Sequence, residues 1–197
     1  MVRLKVMISF LVVSALILGC RPPSTPAPNP SPGPSPTQSS STGQPRRVAA
    51  PDFSTTDTQG NPVTLAGLKD KGAILLHFWS IGTPSNTLDM ADIAVEFQRW
   101  GQSISFVSIN VGDNETAVRD FVKEGNYQWV FAVDAEKEIA AAFGVERLPS
   151  LITIDRDGLR RFFFNGFIVR GFDLGNAINY TRAGMPTPKD PGERPWP

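Results

Sequence analysis

The run Ala73–Trp79 (AILLHFW) is apolar at every position except His77. A strand with one face in water alternates apolar and polar residues; a continuous apolar run of this length belongs to a strand covered on both faces. That calls for helices above and below a sheet, and the flanking sequence supplies them. Met90, Ile93, Phe97 and Trp100 recur at spacings of three and four with Asp89, Asp92, Glu96 and Arg99 between them, the pattern of an amphipathic helix. Ile104–Val111 predicts a second strand and Glu115–Lys123 a second helix, burying Val118, Phe121 and Val122. Trp129–Val133 reads as a third strand, and Glu136–Phe143 as a short helix through Ile139, Ala140 and Phe143. Leu151–Ile154 and Arg161–Phe164 flank Asp155-Arg156-Asp157-Gly158, a hairpin signature. A last helix is expected from about Asp173 to Thr181. Ahead of all this, Gln59-Gly60-Asn61-Pro62 separates the short extended pieces Phe53–Thr56 and Val63–Leu65, which predicts an N-terminal hairpin. The expected fold class is α/β, a mixed central sheet flanked by helices.

The first 47 residues are of another kind. Arg3 and Lys5 precede an apolar run from Val6 to Leu18, broken only by Ser9 and Ser14. Thirteen residues fall short of the roughly 20 that a transmembrane helix needs, but they suit the apolar region of an export signal. The run ends in Ile17-Leu18-Gly19-Cys20, which resembles the bacterial lipoprotein box. That resemblance implies a signal peptide over 1–20, lipid on Cys20, and a domain held in the bacterial cell envelope, facing the periplasm or the exterior. Residues 21–47 contain nine prolines and nine serines or threonines, with no aliphatic side chain larger than alanine. Such a segment cannot bury a core and reads as a linker. The folded domain is then expected over 48–184 and a proline-rich tail over 185–197.

Composition removes several functions. Lysine plus arginine equals aspartate plus glutamate at 19 each, so no uniformly basic surface for nucleic acid is expected. With a single cysteine, no intrachain disulfide and no cysteine-based metal site can form, and no cofactor is expected. Asp155 and Asp157 resemble the start of a calcium loop, but Leu159 stands where an oxygen ligand is needed, so they read as a turn.

Several segments resemble the redoxin family of the thioredoxin fold, specifically the membrane-anchored thiol–disulfide oxidoreductases of cytochrome c maturation. The opening is carried by Ala50-Pro51-Asp52-Phe53, Gly60–Leu65 and Leu76-His77-Phe78-Trp79-Ser80. Ile109–Gly112, Ala117–Val122, Phe143-Gly144-Val145, Leu148-Pro149-Ser150 and Ile154–Gly158 continue it. The likeness runs from about Ala50 to Phe167, roughly three-fifths of the chain.

In that family a Cys-x-x-Cys follows the Phe-Trp strand; the resemblance puts Thr83 and Asn86 at its two positions. Dithiol exchange needs an attacking thiolate and a resolving thiol, and neither a threonine hydroxyl nor an asparagine amide supplies one. Thr83, Ser85 and Asn86 are good helix N-caps and Pro84 suits a first turn. Asp89 matches an acidic position that assists proton transfer in the relatives; with no thiol to serve, it reads as a solvated first-turn acid. His77, the only imidazole, reads as a satisfied core residue and not as a base for Thr83 or Ser85. Pro149 matches the family's cis-proline, beside which extended peptides dock. Half of Phe162-Phe163-Phe164, with Phe167, is expected in the core and the remainder as an exposed patch for a partner.

The expected function is an exported, membrane-anchored thioredoxin-like module without thiol redox activity. It would bind a protein of the cell envelope in a groove formed by Trp79, Thr83, Pro84, Ser85, Asn86, Leu148 and Pro149. Two alternatives stand beside it: a redoxin-type oxidoreductase, and a structural subunit of a membrane electron-transfer complex.

Overall fold

The computed structural model describes residues 48–165 and 174–185. The signal, Cys20, the linker, Phe167 and nearly all of the 185–197 tail lie outside the described residues. Twelve elements follow in chain order: β1 (Ser54–Thr56), β2 (Pro62–Thr64), α1 (Leu65–Lys69), β3 (Ile74–Trp79), α2 (Asn86–Trp100), β4 (Ser105–Val111), α3 (Glu115–Glu124), β5 (Val130–Asp134), α4 (Glu138–Ala142), β6 (Ser150–Ile154), β7 (Arg160–Asn165) and α5 (Leu174–Arg182).

Five strands form one sheet in the order β5-β4-β3-β6-β7, with β3 at its centre. β3 pairs in parallel with β4 and β4 with β5, whereas β6 runs antiparallel to β3 and β7 to β6. The two parallel steps move the same way across the sheet, so right-handed crossovers put α2 and α3 on one face. On that face Met90, Ile93 and Val118 pack with Leu75, Trp79, Phe131 and, from α5, Leu174 and Ile178. Phe53, Leu65, Ala140 and Phe143 cover the other face over Ile74, Leu76, Phe78 and Ile109. Every residue of β3 is buried, as the apolar run requires. Each of its aliphatic and phenylalanine side chains contributes about 1.5–3 kcal/mol by leaving water.

The β1–β2 hairpin is antiparallel, and its tip is fixed by Asp57, whose carboxylate accepts from the backbone of Gln59 and Asn61. The hairpin lies along the outer edge of β5: Asp57 bridges Ala132, and Thr58 N–H donates to the Phe131 carbonyl. This screens an edge strand that would otherwise expose unpaired backbone groups. The second strand ends one residue earlier than expected, because Thr64 caps α1 through an Oγ1 that accepts from Gly67 N–H at 3.1 Å, and Leu65 opens that helix.

Two other expectations need correction. Phe162 is buried, and Phe163 and Phe164 are half-buried against opposite faces of the sheet, so these three form no exposed patch. Phe121 and Val122 are also only half-buried, leaving Val118 as the buried residue of α3. The reading of Asp155 as a turn residue agrees with the structure: its Oδ1 accepts from Asp157 and Leu159 N–H, and Gly158 takes φ +82°, a conformation glycine adopts without penalty.

Candidate functional site

The parallel strands β3, β4 and β5 end on the same side of the sheet, where open α/β sheets bind ligands. Phe78 pairs with Ser150, so the chain leaving β3 and the chain arriving at β6 meet there. The first carries Ser80–Ser85; the second carries Arg147 and the cis Leu148–Pro149 bond.

Each loop is held from behind. Ile81 N–H donates to Asp113 Oδ2 at 2.7 Å, and the same oxygen accepts from Asn110 Nδ2 at 2.8 Å. Asn110 Oδ1 in turn accepts from Asp113 N–H, so the end of β4 fixes the loop after β3. On the other side Asn165 Oδ1 accepts from Arg147 N–H and from Ser150 Oγ, clamping the proline loop to the end of β7. These tethers were not foreseen. The sequence signal available was a polar residue, Asn110, closing an apolar strand just before Gly112-Asp113.

The residues expected to form a groove divide by burial. Pro84 is exposed, as is its neighbour Gly82 outside that set, Thr83, Ser85 and Leu148 are half-buried, and Asn86 and Pro149 are buried. Trp79 has 0% exposure and packs in a tilted arrangement against Phe121 at 4.8 Å, so its ring belongs to the core and lines no groove. The expected capping also fails. Ser85 is the N-cap of α2 by position, yet its hydroxyl makes no cap bond and donates instead to Asp89 Oδ2 at 2.9 Å. Pro84 precedes the helix, and Asn86 is its first residue. Thr83 Oγ1 pairs with Ser80 Oγ at 3.2 Å. Among the described residues, the buried Trp79 Nε1 and Asn86 Oδ1 have no hydrogen-bond partner.

Asp89 is not a solvated acid: it is 5% exposed. Burial raises its carboxyl above the usual carboxylate range, the Ser85 hydroxyl partly offsets this, and the charge of Asp92 adds to the rise.

His77 lies on the same sheet face, fully buried, with Nδ1 3.2 Å from Ser108 Oγ. Ser108 Oγ also accepts from Trp129 Nε1 at 2.8 Å, so one hydroxyl bridges the two rings. The other imidazole nitrogen, Nε2, has no partner among the described residues. The expected satisfied histidine is therefore half satisfied, through a side chain. Burial lowers it from the usual imidazole range to about 3. A fully buried ring that burial holds neutral is not a base for Thr83.

A thioredoxin-like α/β domain, with a mixed central sheet flanked by helices, is thus the class that the fold defines. The chain belongs to the redoxin family, whose sequence pattern matches residues 45–163. It is similar to the thiol–disulfide oxidoreductase ResA of Bacillus subtilis (strain 168), 28% identical over 110 residues, which are 55% of this chain and 61% of that one. The chain thus aligns with about three-fifths of the length of that relative. A hypothetical protein of Sinorhizobium meliloti 1021 superposes with a TM-score of 0.64 at 28% identity, covering 73% of this chain and 87% of that one. A secreted disulfide oxidoreductase of Mycobacterium tuberculosis shares the fold, with a TM-score of 0.57 at 22% identity over 64% of this chain and 94% of that one.

Proposed function

We propose that this protein is an exported, lipid-anchored redoxin-family module that has given up thiol chemistry and holds a protein segment noncovalently at the Thr83–Pro149 end of its sheet. The observation that carries the reading is that Cys20 is the only cysteine in the sequence, so Thr83 and Asn86, which the resemblance aligns with the dithiol positions, bring no thiol. Thr83 Oγ1 is bonded to Ser80, and Asn86 is buried, so neither position offers a nucleophile. What persists is a docking platform: two loops tethered by Asp113 and Asn165. The lipoprotein-like ending at Cys20, and a structural relative described as secreted, favour the cell envelope as its location. The membrane lipid reached through Cys20 and an envelope protein are its partners.

Insulin-disulfide reduction tests the chemistry. The natural chain should be inactive, and Thr83→Cys/Asn86→Cys should gain activity, because the platform for a dithiol persists. Reduction by the natural chain that disappears in Thr83→Ala would overturn the reading and support the oxidoreductase that the relatives' descriptions favour. Photocrosslinkers placed at Gly82 and Pro84 in native membranes test binding; recovery of the chain with no crosslinked protein counts against it.

A further inference from the structure

We propose that the domain stands on anionic lipid by the end of the sheet opposite Thr83, so that the candidate docking site is turned away from the membrane. The inference rests on the anchored reading above and adds an orientation to it.

The strand polarity defines two ends. β3, β4 and β5 finish at the site end, where segments 80–92, 112–118, 134–138 and 145–149 hold eight acidic residues against two cations, Lys137 and Arg147. The base, where those strands begin, comprises the hairpin tip 57–61 and segments 69–72, 96–104, 123–128, 155–161 and 182–185. It holds eight cations against six acids. Two of these acids pair with two of the cations, Glu96 with Arg99 and Asp155 with Arg161, each at 3.4 Å, so the surplus of cations at the base is unchanged by these pairs.

The described chain also starts at the base. The Val48 carbonyl accepts from Arg160 N–H, and Ala50 N–H donates to the Gly158 carbonyl, each at 2.8 Å. Arg46 and Arg47 come just before Val48 in the sequence. Lys69 lies over the same turn: a Cβ added at Gly158 would stand 3.1 Å from its ammonium nitrogen. Lys71 and Arg156 are exposed.

Surface potential decays over about 8–10 Å at physiological salt. A strand the length of β3 spans about 20 Å, so the two ends of the sheet experience different potentials near a charged membrane. An anionic leaflet attracts the base and repels the site end, and the two effects turn the domain the same way.

The full chain, purified from membranes and reconstituted into phosphatidylcholine vesicles with or without phosphatidylglycerol, tests this. A fluorophore is placed on Gln102→Cys at the base or on Gly82→Cys at the site end, and a headgroup-bound quencher reads proximity. Gln102 is exposed, and nothing lies within 4 Å of a Cβ at Gly82, so both changes are sterically mild. On anionic vesicles the Gln102→Cys label should be quenched severalfold more than the Gly82→Cys label. The difference should collapse in high salt, on phosphatidylcholine alone, and in Arg46→Gln/Arg47→Gln/Lys71→Gln. Equal quenching of the two labels on anionic vesicles, or a difference indifferent to salt and lipid charge, overturns the orientation. The anchor is read separately, from the mass of the peptide containing Cys20. If that peptide carries no lipid, cosedimentation with the same vesicles decides: binding to the anionic ones alone supports a lipid-facing base, and no binding overturns it.

Discussion

The buried imidazole of His77 makes the domain sensitive to mild acid. In the unfolded chain it takes up a proton below about pH 6.5. In the folded domain it resists protonation until about pH 3, because burial disfavours the charged ring. Stability is therefore flat above about pH 6.5 and falls with acid below it, since only the unfolded state gains a proton. At about pH 5 the unfolded side lies one and a half units past its midpoint, which costs the fold about 2 kcal/mol. That magnitude barely depends on the folded value, provided it stays well below the assay pH. Urea unfolding followed by tryptophan fluorescence should show the midpoint dropping by roughly 1–2 M between about pH 7.5 and pH 5. With one histidine in the chain, no second imidazole competes. Asp89 acts in the opposite sense: its raised value lets the folded state hold a proton more tightly, so acid relieves it. His77→Phe isolates the imidazole. It removes both the titration and the unpartnered Nε2, leaves Trp129 bonded to Ser108, and should lose the acid-dependent drop. Parallel pH profiles for the natural chain and His77→Phe would refute the reasoning.

Three further outcomes follow from contacts already described. Ile93→Ala removes a fully buried side chain of α2 and should cost about 2–5 kcal/mol in urea unfolding. Asp113→Ala strips the acceptor from Ile81 N–H and Asn110 Nδ2; hydrogen exchange of the 80–85 amides should rise by an order of magnitude or more, for a loss of about 1–3 kcal/mol, with the amides of β3 unchanged. Asp89→Asn removes the charge that burial disfavours, so it should stabilise the domain at neutral pH, and the gain should shrink on acidification as the natural carboxyl becomes protonated.

What the sequence conveyed and what it withheld divide along the range of the interactions. The central strand, the amphipathic spacing of α2 and the Asp155 turn are written within windows of a few residues, and each lies where that window placed it. α1 is not legible in the sequence, because LAGLK is too short to display a period, and only the Thr64 hydroxyl marks its start. The site contacts that the local pattern does not show depend on partners far away in the chain. His77 meets Ser108 31 positions on, and Ile81 meets Asp113 across 32. Ser85 has the right chemistry for a cap, but Asp89, buried one turn later, takes its hydroxyl. Burial decided these cases, and no local pattern at Asp89 distinguishes a buried acid from a solvated one.

The stitch that joins Val48 and Ala50 to the β6–β7 turn has a mechanical meaning. Any pull on the residues ahead of Val48 reaches those two backbone hydrogen bonds first, and β3 lies two strands further in. Each bond contributes only about 0.5–1.5 kcal/mol net, so the seam yields before the sheet. The next fixed point is Phe53, whose carbonyl accepts from Leu65 N–H. Residues 48–52 would then pay out, lengthening the leash by about 17 Å. Single-molecule pulling should record this as a small extension step ahead of unfolding; its absence would mean that the seam and the sheet part together. The same short stretch that closes one edge of the fold thereby serves as a fuse between a domain and whatever tugs on it.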